Sequence, residues 1–140
     1  MNDLFLLDAN VLSKIVYPKR NDDIYLWFKE KLDEEILFIL TEISDYEVRR
    51  GLLHKDLKNA IKRLDSLKET LIYLPITTDV MLKSAELWAE SRKQGIPTSG
   101  LKELDCDIIL SSLCLSINGI IITENTRHFN FVKALNYKDI

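Results

Sequence analysis

Four short apolar or β-branched runs, at 4–7, 36–41, 71–76 and 120–123, are separated by stretches long enough to hold helices. Runs of this kind, without polar alternation, suit strands buried on both faces, and such strands occur in parallel sheets covered by helices on either side. The intervening sequence has helical periodicity. Ile24, Trp27, Phe28 and Leu32 repeat at three and four, as do Met81, Leu82, Ala85, Trp88 and Ala89, with Thr77 or Thr78 as the cap and Gly95 as the stop. Leu53, Leu57, Ala60, Ile61, Leu64 and Leu67 read as one longer stripe. After a loop at GIPTSG, 107–117 reads as a last helix ending at Asn118 and Gly119, both suited to a left-handed cap. The expected fold is α/β, a three-layer sandwich around a central parallel sheet of about four to five strands, with 1–140 as a single domain.

Composition narrows the class further. In 140 residues, 46% are hydrophobic and only four are Gly and three Pro, enough apolar material for a core and too much for a disordered chain. No stretch approaches the roughly 20 apolar residues that span a bilayer, and the start lacks a basic segment followed by a long apolar one, so a cytoplasmic protein is expected. Cys106 and Cys114 lie eight apart in one apolar segment, without the spacing of a redox or zinc motif, and read as buried free thiols. The net charge of −3 gives no global attraction to nucleic acid, yet 49–68 holds seven Lys or Arg against two Asp. A cationic face on an acidic body is the consequence.

Ligands of open parallel sheets bind beyond the carboxyl ends of the strands. Asp8 follows the first run. Glu47, in EISDYEVRRGL, is expected in the first turn of the helix after the second run; Asp107 opens another helix; GIIIT runs straight into Glu124 and Asn125. Each position has a structural alternative. Asp8 suits the cap of a helix beginning near Asn10, Ser44 and Glu47 have capping-box spacing, Asp105 and Asp107 favour a helix dipole, and Asn125 suits a turn. Capping does not explain why all of them fall on one edge. Carboxylates brought together repel unless a cation or a raised pKa relieves them, and oxygen-only ligation suits Mg²⁺ or Mn²⁺. His54 and His128 have no partner at ligand spacing and are expected to be structural or at the surface.

Taken in order, LLDANVL, SDYEVRRGL and DIILSSLCLSINGIIITENTRHF resemble the motifs of PIN-domain ribonucleases, in particular the VapC-type toxins of type II toxin–antitoxin pairs, over nearly the whole chain. The resemblance implies a PIN-like fold and a metal site in which Asp8 and Asp107 bind Mg²⁺ or Mn²⁺ and Glu47 coordinates directly or through water. Asn125 matches a fourth catalytic position that is often aspartate, so an amide there removes one negative charge from a second metal position. Spacing to TENTRHF selects Asp107 over Asp105, and Asn10 is expected to orient Asp8. The implied reaction is endonucleolytic hydrolysis of RNA phosphodiesters leaving a 3′-hydroxyl and a 5′-phosphate, with Arg49, Arg50 and Arg127 guiding the strand. A homodimer and a small antitoxin that wraps the groove are implied as well.

Three other readings compete. A haloacid-dehalogenase-like phosphatase also places an aspartate after its first strand, but it expects D-x-D where this chain has Asp8, Ala9 and Asn10. A non-catalytic PIN-like scaffold that binds RNA or protein is favoured only by Asn125. A housekeeping RNA-processing nuclease keeps the same chemistry, and the shortness of the chain favours the toxin over it.

Overall fold

The computed structural model describes residues 3–17, 23–95 and 104–140. Its elements, in chain order, are β1 (Leu4–Leu7), α1 (Ala9–Val16), α2 (Ile24–Asp33), β2 (Leu37–Thr41), α3 (Glu42–His54), α4 (Lys58–Thr70), β3 (Ile72–Leu74), α5 (Thr78–Gln94), α6 (Leu104–Ser116), β4 (Ile120–Ile122) and β5 (Ala134–Leu135). Short 3₁₀ turns follow at Thr126–His128 and Tyr137–Asp139. All strand pairs are parallel, in the order β3-β2-β1-β4-β5. The expected three-layer α/β sandwich is the observed one, with β5 as a fifth, short edge strand.

Two-residue periodicity sorts the strand side chains into two cores. Phe5, Leu7, Phe38, Leu40, Ile120 and Ile122 face one side and pack with residues of α1, α2, α3 and α4 such as Leu12, Phe28, Val48 and Leu64. Leu6, Ile39 and Ile121 face the other and meet Val80 of α5 and Leu110, Leu113 and Cys114 of α6. Strands apolar at every position are thus consumed on both faces. The chain builds outward from β1 first to β2 and β3, then returns to add β4 and β5 on the other side. That reversal opens a crevice beyond the carboxyl ends of β1 and β4, the place where such sheets receive ligands.

The expected single stripe from Leu53 to Leu67 is instead divided between α3 and α4. Asp56 adopts a left-handed conformation (φ 55°), while Leu57 N–H bonds Leu52 O at 3.0 Å and Asp56 N–H bonds Leu53 O at 3.2 Å, the two bonds of a Schellman stop. Leu53 therefore turns out to solvent, 57% exposed. The same pair of bonds ends α2 at Glu35 (φ 62°) and α6 at Asn118 (φ 51°). Thr77 caps α5 and Gly95 ends it, as expected. The loop expected at GIPTSG lies outside the described residues beyond Gly95.

After Asn118, Gly119 brings β4 hard against β1. A Cβ there would sit 2.5 Å from Leu6 Cδ1 and 3.1 Å from the Leu4 carbonyl oxygen. Only a residue without a side chain allows that approach.

Candidate active site

β1 ends in Asp8, which has extended backbone (ψ 156°) and begins α1. Its Oδ1 accepts from Ala9 N–H at 2.8 Å, so the capping alternative describes half of its carboxylate. Oδ2 accepts from the Thr123 hydroxyl at 2.7 Å, and Asp8 N–H donates to Ile122 O at 3.0 Å. Asp8 is thereby fixed from the adjacent strand β4. Thr123 Oγ1 accepts in turn from Asn125 N–H (3.0 Å) and Asn10 Nδ2 (3.4 Å), and Asn10 Oδ1 accepts from Glu124 N–H (3.4 Å). Asn10 acts on Asp8 through Thr123.

Glu47 reaches the same crevice from α3. Thr41, at the end of β2, caps α3 by accepting from Ser44 N–H at 3.2 Å, so the helix starts earlier than expected and the Ser44–Glu47 capping box does not form. Glu47 falls one turn further along and faces the crevice, half-buried. Its carboxyl is pushed up to about 7, first by burial, then by Asp8, with Asp107 adding to the rise; the Cys106 thiol donates to it and Arg50 attracts it, both opposing the shift. The Cys106 thiol is itself pushed up to about 12 by burial and by Glu47, so it stays protonated and remains a donor.

Asp107 arrives from the first turn of α6, buried, with Oδ2 3.7 Å from His128 Nδ1. Asp105, two residues earlier, is exposed and borders a different hollow beside Trp88 and Arg92. Asp107, selected over Asp105 by its spacing to TENTRHF, is the carboxylate that faces the crevice.

Asp8, Glu47, Asp107 and Asn125 all line one groove of about 440 Å³, with Lys14, Tyr17, Lys55 and His128 on its walls. Lys14 closes one rim by pairing with Glu124 at 2.8 Å. The three arginines expected to guide a strand are not among the lining residues. Arg49 bonds Asp45 (2.9 Å) and Asp65 (2.8 Å), tying α3 to α4. Arg50 lies over the Tyr46 ring and within electrostatic reach of Glu47, and Arg127 is exposed on the 3₁₀ turn after β4. Sequence reading assigned no part in the site to His128, Lys14 or Cys106. His128 lies three residues beyond the T-x-N pattern that ends in Asn125, and that adjacency was its only signal.

A family model of the PIN domain matches residues 5–134. The chain belongs to the PIN-domain family. PIN domains are generally nucleases, hydrolases of phosphodiester bonds, so the dehalogenase-like alternative falls away. Solved PIN-fold structures agree along nearly the whole chain. VapBC2 from Rickettsia felis bound to a DNA fragment from its promoter superposes with a TM-score of 0.74 at 17% identity, covering 95% of this chain and 98% of that one. VapBC-1 from nontypeable Haemophilus influenzae gives 0.73 at 18% identity, with 96% and 98% covered. FitAcB from Neisseria gonorrhoeae gives 0.67 at 23%, with 97% and 99% covered. No curated protein matches the sequence.

This PIN groove presents a hard-oxygen donor set, and the Glu47 carboxyl, raised first by burial and then by its acidic neighbours, is one whose charged form a divalent cation would favour. Among the described residues, no three His, Cys, Asp or Glu side chains stand close enough to enclose an ion alone. An ion that keeps much of its water shell, as Mg²⁺ does, fits such an open arrangement. Among the same residues, no helix is long and apolar enough to cross a membrane.

Proposed function

We propose that this PIN domain is a Mg²⁺- or Mn²⁺-dependent endoribonuclease and the toxin of a VapBC-type toxin–antitoxin pair. The observation that carries the reading is the meeting of Asp8, Glu47 and Asp107 at one groove, with two of the carboxylates helping to raise the third. Asp8 and Asp107 hold the cation, Glu47 joins directly or through water, and the Asn125 amide occupies the fourth position. When bound, the cation supplies Lewis acidity toward a phosphoryl oxygen and toward the attacking water.

The chain's own groups prepare that site. Thr123 and Ala9 N–H fix both oxygens of Asp8, and orientation set by such outer partners governs ligand quality. The Cys106 thiol restrains Glu47, and the His128 ring stands beside Asp107, its Nδ1 3.7 Å from Oδ2. Water is the nucleophile, no side chain bonds to phosphorus, and the products carry a 3′-hydroxyl and a 5′-phosphate. Arg50 and Arg127 meet phosphates flanking the cut, whereas Arg49 serves the α3–α4 junction. The fold shared with VapBC and FitAcB supports the toxin over a housekeeping nuclease, and with it a cytoplasmic homodimer restrained by a small antitoxin.

Calorimetric titration with Mn²⁺ tests the centre. Wild type binds, and Asp8→Asn and Asp107→Asn each lose binding while staying folded; a folded wild type that takes up no metal would put the non-catalytic scaffold ahead. Mapping of RNA ends and growth arrest on expression, relieved by Asp8→Asn, then test reaction and biology. Harmless overexpression of an active enzyme would favour the housekeeping reading.

A further inference from the structure

The carboxylate groove continues past its lysine rim. It shares Tyr17 and Leu57 with a second hollow of about 480 Å³ at the turn between α3 and α4, lined also by Asp56, Lys58, Asn59 and Arg63. Tyr17 stands at the junction with 44% of its surface exposed, as the C-cap of α1, its N–H bonded to Ser13 O at 2.9 Å. Its ring is held at the surface by the end of a buried helix. Arg63 Nε donates to Val16 O at 2.6 Å, which locks α4 against that same helix end. Lys55, on the groove, and Lys58, in the hollow, are exposed, and among the described residues neither has an ion-pair partner.

An exposed aromatic ring with two lysines beside it that make no ion pair among the described residues, adjoining a carboxylate groove, has the chemistry that unpaired bases and their phosphates require. Bases within a duplex are already stacked and offer the ring no face. We propose a base-stacking subsite beside the carboxylates: the RNA strand passes over Tyr17, which stacks one unpaired base, with Lys55 and Lys58 contacting the neighbouring phosphates. This rests on the nuclease reading and adds to it a subsite for one base next to the groove.

The test measures binding of a labelled single-stranded oligouridylate, and of its abasic counterpart, to the Asp107→Asn chain so that nothing is cut, with cleavage by the otherwise wild-type chain followed in parallel. Adding Tyr17→Ala weakens oligouridylate binding about tenfold, and Tyr17→Phe retains it, because stacking needs the ring and not the hydroxyl. The abasic strand loses this dependence on Tyr17. Lys55→Gln and Lys58→Gln each lower the slope of log affinity against log salt by about 0.7. Equal oligouridylate binding with and without Tyr17 overturns the inference, as does an equal loss for the abasic strand. Absence of cleavage beside Tyr17-dependent binding would instead remove the nuclease reading and leave the subsite standing.

Discussion

Thr123 Oγ1 donates to Asp8 Oδ2 at 2.7 Å, joining the residue after β4 to the residue after β1 across the crevice. The same hydroxyl accepts from Asn10 and from Asn125 N–H, so three residues of the site depend on one oxygen. Thr123→Val keeps the shape and removes that oxygen. Loss of an outer partner of a ligand costs roughly 10–100-fold in metal affinity, and leaving buried groups unpaired costs about 1–3 kcal/mol of stability. Thr123→Ser is expected to retain most of both. Calorimetry and denaturant melts compare the three, and undiminished Mn²⁺ affinity in the valine variant would mean that Asp8 does not need this bond.

The raised Glu47 carboxyl predicts a pH dependence of the metal-free protein. Its folded pKa, about 7, lies above the ordinary 4.5, so between these values the folded state binds more protons than the unfolded one. Stability from this group is then highest at acid pH and declines as pH rises through 4.5 to 7. Glu47→Gln removes the component. The difference in melting temperature between wild type and Glu47→Gln, followed from pH 4.5 to 7 in chelator, is expected to move steadily against wild type; a flat difference would show that the carboxyl is not held up.

Left-handed residues with side chains leave room for stabilisation. Glu35 occupies φ 62° at an exposed position with no Cβ-free residue to ease it. Such a conformation costs an ordinary L-residue roughly 1–2 kcal/mol, partly offset on substitution by the greater unfolded freedom of Gly. Glu35→Gly should therefore gain about 1 kcal/mol. Asn118→Gly should gain less, since Asn tolerates this region. The order of the two gains in urea melts is the informative result.

Gly119→Ala tests the close approach of β4 to β1. The added methyl meets Leu6 Cδ1, which sits in a fully buried side chain, and the Leu4 backbone oxygen, so overpacking is expected to cost about 1–3 kcal/mol. Because Thr123 rides on β4, weaker Mn²⁺ binding should accompany the loss. A destabilised variant with unchanged metal affinity would separate the packing of β4 from the positioning of Asp8.

Much of this architecture was legible in sequence because strands buried on both faces are apolar at every position, and the runs at 4–7 and 120–122 contain nothing else. Asp8 and Asn125 were legible by their place after those runs, Glu47 by following the run at 36–41 and Asp107 by opening a helix, and the structure brings all four to one groove. Helix limits were harder to read. Glu35 and Asp56 end helices in a conformation usually signalled by glycine, so the break between α3 and α4 left no obvious mark. His128 and Cys106 were missed for another reason: their partners, Asp107 and Glu47, are fixed by tertiary packing, and neither pairing has a spacing rule.

The parallel pairing of β1 with β4 also has a temporal side. Asp8 and Glu47 leave the ribosome before Asp107, Ile122 and Thr123 do. Until then the first strand lacks the neighbour that receives its Asp8 amide and orients its carboxylate. A nascent chain thus carries pieces of the centre without their geometry. The groove is complete only once β4 has joined β1, so its geometry rests on a bond between residues 115 positions apart and not on either strand alone.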